Sequence, residues 1–160
     1  MSKNTLPCQS ILSTEQKVKI RDWIYQKPSI QNTVEFLSGE FQIQITADPD
    51  VVKGFERDSS NLPGNAEILC RPRNDEECAL ILTYCQIAKI PLTIAAGRTN
   101  LNGSATPNGG IVLSMEKMTQ PGPTLDLHTE CISAPVGIYL EDMRNASLQQ
   151  SHNKLYFPVD

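Results

Sequence analysis

AEILCRPRNDEECALILTYCQIAKIPLTIAA, residues 66–96, is the stretch that decides the fold. It opens on a short apolar run, Ala66 to Cys70, which Arg71-Pro72 closes because proline brings no ladder donor. Asn74 then offers a side-chain oxygen to cap a helix, with Glu77 three positions on. Asp75, Glu76 and Glu77 fall in the first turn, where the helix dipole favours acids. Ala79, Leu80, Ile81, Leu82, Tyr84, Ile87 and Ala88 give that helix a broad apolar face, and Lys89 puts a cation at its carboxyl end. IPLTIAA, Ile90 to Ala96, reads as the next strand. Strand, capped helix and strand in this compass make a βαβ unit, expected to cross over right-handed. GIVLSM, Gly110 to Met115, reads as a further strand.

Between these strands lies AAGRTNLNGS, residues 95–104. A loop at the carboxyl end of a strand in an open α/β unit is where ligands usually bind. Gly97 and Gly103 let backbone N–H groups approach an anion closely. Thr99 and Ser104 add hydroxyl donors, Asn100 and Asn102 amide donors, and Arg98 a fork suited to phosphate oxygens. Nothing acidic lies in the chain between Thr93 and Met115, so the segment carries donors without opposing charge. It matches neither G-x-x-x-x-G-K-[ST] nor G-x-G-x-x-G, and a strand rather than a helix follows it. On its residues alone it reads equally as a phosphate cradle or as an ordinary Gly/Asn turn.

Outward from this block, Ser13 with Gln16 forms a capping box, and Ile20, Trp23, Ile24 and Lys27 keep helical spacing until Pro28. A second short helix is expected from Gln31 to Ser38, with Val34 and Leu37 inward. FQIQIT, Phe41 to Thr46, alternates like a half-buried strand. Ala47 to Asn65 is expected to be mostly irregular surface. Beyond the block come a Pro/Gly turn at Gln120 to Thr124, strands at Leu125 to Thr129 and Cys131 to Ala134, and a helix from Ile138 to Ala146 carrying Leu140 and Met143 inward.

The 160 residues carry a net charge of −4 and only scattered basic side chains, which argues against nucleic acid as a partner. No window is apolar enough to span a bilayer, and the amino terminus lacks a signal-peptide core. The five cysteines, Cys8, Cys70, Cys78, Cys85 and Cys131, include no C-x-x-C pair and read as reduced thiols of a cytoplasmic protein. His128 and His152 have no ligand spacing to them, so no metal site is expected.

Residues 70–118 together resemble the first half of the FAD-binding domain of FAD-linked oxidoreductases. These are the family of vanillyl-alcohol oxidase, p-cresol methylhydroxylase, D-lactate dehydrogenase and glycolate oxidase flavoproteins. Pro72 matches the proline after the family's first strand. Ala96-Gly97-Arg98-Thr99 lies over its G-G-G-T, and Asn100 to Ala105 over "slsGga". Pro107 and Gly110 to Leu113 match the proline and strand beyond, and Asp58-Ser59 resembles a "D.s" ahead of the first strand. The resemblance runs from about Val51 to Asp160, and LYFPVD, residues 155–160, resembles a segment just ahead of a second flavin loop.

The resemblance implies an α/β (α+β) fold of the p-cresol methylhydroxylase type, with the start of a second, smaller sheet. It divides the chain into a helical lead-in (1–50), a first subdomain (about 51–118) and an incomplete second one (about 119–160). It implies that the loop wraps the pyrophosphate of FAD through Ala96, Gly97, Arg98, Thr99, Asn100, Leu101, Gly103 and Ser104, with Asp160 as a further cofactor residue. Ala96 and Arg98 replace family glycines, and Arg98 is expected either to clamp a phosphate or to extend into solvent. Some relatives bind flavin covalently through a histidine in this loop; with no histidine there, the flavin is expected to be held non-covalently, and Cys131 reads as a small strand residue.

The implied activity is oxidation of a 2-hydroxy acid or related alcohol, with substrate and catalytic groups supplied by regions absent from this chain. No catalytic base is identified. The chain is thus expected to be a truncated amino-terminal part, with an unpaired sheet edge through which it self-associates. An inactive fragment and a non-flavin phosphate- or nucleotide-binding module are the alternatives.

Overall fold

The computed structural model describes residues 11–158. They divide between two compact units, one running to Met115 and one beginning at Glu116. In the first, Ser13 and Gln16 form the expected reciprocal cap, Gln16 N donating to Ser13 Oγ at 3.2 Å and Ser13 N to Gln16 Oε1 at 2.8 Å. Helix α1 (Thr14–Tyr25) follows, then α2 (Ile30–Phe41), capped by Ser29. Helix α2 is longer than expected and absorbs Phe41, so the strand predicted from Phe41 shrinks to β1 (Gln44–Thr46). Aromatic packing accounts for this. Phe36 stacks on Trp23 at 4.6 Å and takes Phe41 edge-on at 5.4 Å, which holds Phe41 on the helix until left-handed Gln42 ends it.

The stretch expected to be irregular contains a turn of helix, α3 (Pro49–Val52), and a 3-10 turn, Lys53–Phe55. Asp48 caps it and Pro49 occupies its first position, a signal present in the sequence. Its purpose is burial: Val52 and Phe55 join the core.

The main sheet has the order β1-β2-β4-β3, built from β2 (Ile68–Arg71), β3 (Leu92–Ala95) and β4 (Ile111–Ser114). Strands β2 and β3 both run parallel to β4, and β1 pairs antiparallel with β2. The two strands joined by α4 (Asp75–Ala88) are therefore separated by a strand that comes later in the chain. Burial explains the order. All four residues of β4 are buried, which suits a central strand, whereas β3 leaves Ile94 54% exposed at the edge.

Leu69, Val112 and Ala95 face Val52, Phe55 and Ala105 in one core cluster. By alternation Ile68, Cys70, Ile111 and Leu113 face the opposite way. Helix α4 buries Ala79, Leu80, Ile81, Thr83, Tyr84 and Cys85, and α1 packs against it.

In the second unit β5 (Thr124–Asp126) pairs antiparallel with β6 (Cys131–Ser133), and α5 (Leu140–Gln150) packs on β5. The strand expected to reach Thr129 stops early because Asp126 Oδ1 accepts from His128 N (2.8 Å) and Thr129 N (3.3 Å), closing a turn. Leu140 does not point inward as expected; it begins the helix 53% exposed, and Ser147 is the buried residue of α5. Leu127, Val136, Tyr139 and Tyr156 are also exposed here.

Candidate functional site

Strand β3 ends at buried Ala95 and the chain turns out at once: Ala96 and Gly97 are exposed. Gly97 does not adopt the left-handed conformation, and a Cβ there would meet nothing closer than Thr99 Cγ2 at 3.9 Å. The left-handed residue is Arg98, with φ 54°. A residue with a Cβ is held there at a cost of about 1–2 kcal/mol, so compensating contacts are required.

Those contacts come from residues 54–59. Arg98 Nη1 donates to Gly54 O, and its guanidinium lies over the Phe55 ring, 4.4 Å from the centroid. Arg98 O accepts from Ser59 N (3.0 Å) and Ser59 Oγ (3.1 Å). The side chain therefore neither clamps outward nor extends into solvent; it ties the loop to the core cluster through Phe55.

Asp58 makes the second tie. The loop is free of acids in sequence but not in space, which corrects that expectation. Asp58 Oδ2 accepts from Asn100 Nδ2 and, at 3.2 Å, from Ala105 N. Its Oδ1 accepts from Ser60 N (2.9 Å) and Ser60 Oγ (2.5 Å). The Ser60 hydroxyl is the main cause of a carboxyl pKa lowered to about 2; desolvation opposes it, and the Ser60, Asn100 and Ala105 donors assist. Asp58 carries almost no sequence signal of this role, since its two loop partners lie more than forty residues away. The aligned "D.s" was the one hint.

Inside the loop, Asn102 Oδ1 accepts from Asn100 Nδ2 and Ser104 N, both at 3.1 Å, and Gly103 O accepts from Thr106 N at 3.0 Å. Gly103 has φ +77°, a conformation that strains any residue with a side chain, and a Cβ there would also have to displace the exposed Leu62 Cδ1, 2.7 Å away, so the position favours glycine. Ala105 is buried in the core cluster and anchors the far end.

The outer side of the loop is different. Among the described residues, the backbone N–H groups from Arg98 to Gly103 have no acceptor, and Thr99, Leu101 and Asn102 are exposed, Leu101 at 79%. Six consecutive open donors beside exposed hydroxyls at Thr99 and Ser104 are what an anion such as a pyrophosphate requires. The donor set fits that group. Of the sequence-predicted residues, Ala96 to Leu101, Gly103 and Ser104 share this loop, while Asp160 lies outside the described residues. His128, Cys131 and His152 belong to the second unit. Among the described residues no helix is long and apolar enough to cross a membrane.

Residues 66–157 match the FAD binding domain family. The chain is 34% identical over 92 residues to D-lactate dehydrogenase of Archaeoglobus fulgidus, covering 57% of this chain and 20% of that protein. It is 34% identical over 92 residues to glycolate oxidase subunit GlcD of Bacillus subtilis, covering 56% and 18%. The chain thus spans about a fifth of the length of these curated relatives. Its fold is similar to that of glucooligosaccharide oxidase from Acremonium strictum, a protein with 6-S-cysteinyl, 8α-N1-histidyl FAD, at a TM-score of 0.59 and 16% identity over 77% of this chain and 25% of that one. Three parallel strands, a donor-lined loop at the end of the edge strand β3 and a family match that spans both have one explanation: this chain belongs to the FAD binding domain family of flavin-dependent oxidoreductases.

Proposed function

We propose that the loop from Ala96 to Ser104 cradles the pyrophosphate of a non-covalently held FAD, in an oxidoreductase that oxidises a 2-hydroxy acid or related alcohol. The row of open N–H groups from Arg98 to Gly103 carries this reading. These donors bind charge already fixed in place, so the loop pays little reorganisation on meeting the anion. Thr99 and Ser104 hydroxyls extend the donor set, and Arg98, held over Phe55, adds positive charge within a Debye length. Bound FAD would supply the hydride acceptor; the part of this chain is to position it.

The absence of His and Cys from residues 96–104 supports non-covalent binding. The names of the two 34%-identical relatives, lactate and glycolate enzymes, support the substrate class. Asp160 and the division at 1–50, 51–118 and 119–160 belong to the same reading through the family likeness. Free Cys70, Cys78, Cys85 and Cys131 favour a reducing, cytoplasmic setting. The two-stranded β5–β6 sheet and exposed Leu127, Val136 and Tyr139 favour self-association, which size-exclusion chromatography reads.

The visible spectrum of the purified chain, then titration with FAD and with ADP, tests the loop. If a complete site is worth about −12 kcal/mol and this chain supplies half, roughly −6 remains, a dissociation constant of tens of micromolar. Saturable FAD binding, tighter than that of ADP, is expected. Equal binding of both would favour a general nucleotide module, and no binding of either would remove the cradle.

A further inference from the structure

We infer that Asp58 is a positioning residue for the loop that leaves β3: its carboxylate holds residues 100–105 and thereby sets the backbone whose N–H groups, Arg98 to Gly103, are left without a protein acceptor. The inference rests on reading that row as the pyrophosphate cradle. Asp58 is 6% exposed and lies on the segment before β2, so it is not placed to meet a ligand itself. Its two oxygens receive four donors, two from Ser60 on its own segment and two from the loop. The loop donors sit at both ends of the turn, Asn100 entering and Ala105 leaving, and they converge on the one oxygen Oδ2.

This arrangement gives the loop two anions to answer. The internal one organises the inner donors, and the outer donors are left for a ligand. Asn100 Nδ2 also reaches Asn102 Oδ1, which in turn takes Ser104 N, so the carboxylate is the root of a chain of bonds through the turn. An amide at position 58 replaces it only in part. Asparagine has one acceptor oxygen, so its NH2 would face a backbone donor whichever way it turns, Ser60 N on one side or Ala105 N on the other, and leave that N–H without its acceptor.

The test uses Asp58→Asn and the milder Asn100→Ala in the 160-residue chain. Two readouts are taken: FAD titration, and amide exchange at Ala105 and Thr106 compared with Ile111 to Ser114. Asp58→Asn is expected to speed exchange at Ala105 and Thr106 and weaken FAD binding roughly ten- to a hundredfold, the effect of losing charged hydrogen bonds, while β4 stays protected. Asn100→Ala should show the same pattern more weakly. If both variants keep wild-type exchange at Ala105 and Thr106, or if Asp58→Asn loosens β4 equally, Asp58 is not a positioning residue. If the wild type binds no FAD yet Asp58→Asn loosens only the loop, the flavin reading fails and the role of Asp58 stands.

Discussion

The hydroxyls of Thr33 and Tyr84 meet at 2.9 Å in buried space, joining α2 to α4. Thr33 Oγ1 also bonds Ser29 O at 3.0 Å, so Thr33 is satisfied in part without its partner, whereas Tyr84 is 1% exposed. Replacing Tyr84 by Phe removes one buried bond at little change in volume and should cost about 1 kcal/mol. Thr33→Val should cost more, because the Ser29 bond goes too. The double variant should fall short of the sum of the two in urea denaturation, since the pair shares one bond. Strict additivity would mean that the two hydroxyls do not interact in solution.

Alkaline stability tests the packing around α4. Burial raises the Cys70 thiol well above its usual range, with a smaller push from Cys85, and raises the Cys85 thiol to about 12. Burial also raises Tyr84, against a lowering from the Thr33 hydrogen bond. Below the ordinary thiol value of 9.0 both thiols are protonated, folded or unfolded, and no pH dependence arises from them. Above it the unfolded chain releases protons that the folded chain keeps, so stability falls as pH rises, by roughly 1.4 kcal/mol per pH unit for each such group. Cys85→Ala should remove about one proton from that slope between pH 9 and 11. An unchanged slope would show that Cys85 ionises as readily in the folded chain as in the unfolded one.

At Arg98 backbone and side chain pull in opposite directions. The left-handed backbone favours glycine, while Gly54 O and the Phe55 ring reward the guanidinium. Arg98→Ala loses the contacts and keeps the strained φ; Arg98→Gly loses the same contacts and relieves it. Glycine should therefore be the more stable of the two by about 1 kcal/mol. Thermal unfolding of the pair gives the comparison directly, and equal midpoints would place residue 98 outside the left-handed region.

Local signals were the legible ones. Ser13 with Gln16 and Asn74 with Glu77 need only three residues to be recognised, and both caps form where the residues call for them. The helix, the flanking strands and the loop between β3 and β4 follow from the same short-range patterns. What escaped depends on distant partners. Phe41 alternates like a strand residue, but on α2 it meets the ring of Phe36, itself stacked on Trp23 of α1. The central place of β4 follows from burial on both faces, which a four-residue apolar run shares with any strand end. In the site the donors were readable as types, but not which of them Asp58 would claim, nor that Arg98 would turn back on Phe55. Asp48-Pro49 is the exception: a short-range helix start that the chain displays and an expectation of irregular surface overlooked.

Strand β4 lies between β2 and β3 although it is made after both. Without residues beyond Ala96, β3 has no ladder partner in this sheet and β2 has only β1. The sheet closes only once the loop has turned and delivered Ile111 to Ser114 between β2 and β3. The segment that bears the donors is therefore also the link on which the sheet's closure depends, and a change that lengthens or misdirects it acts on the ladder of both neighbouring strands.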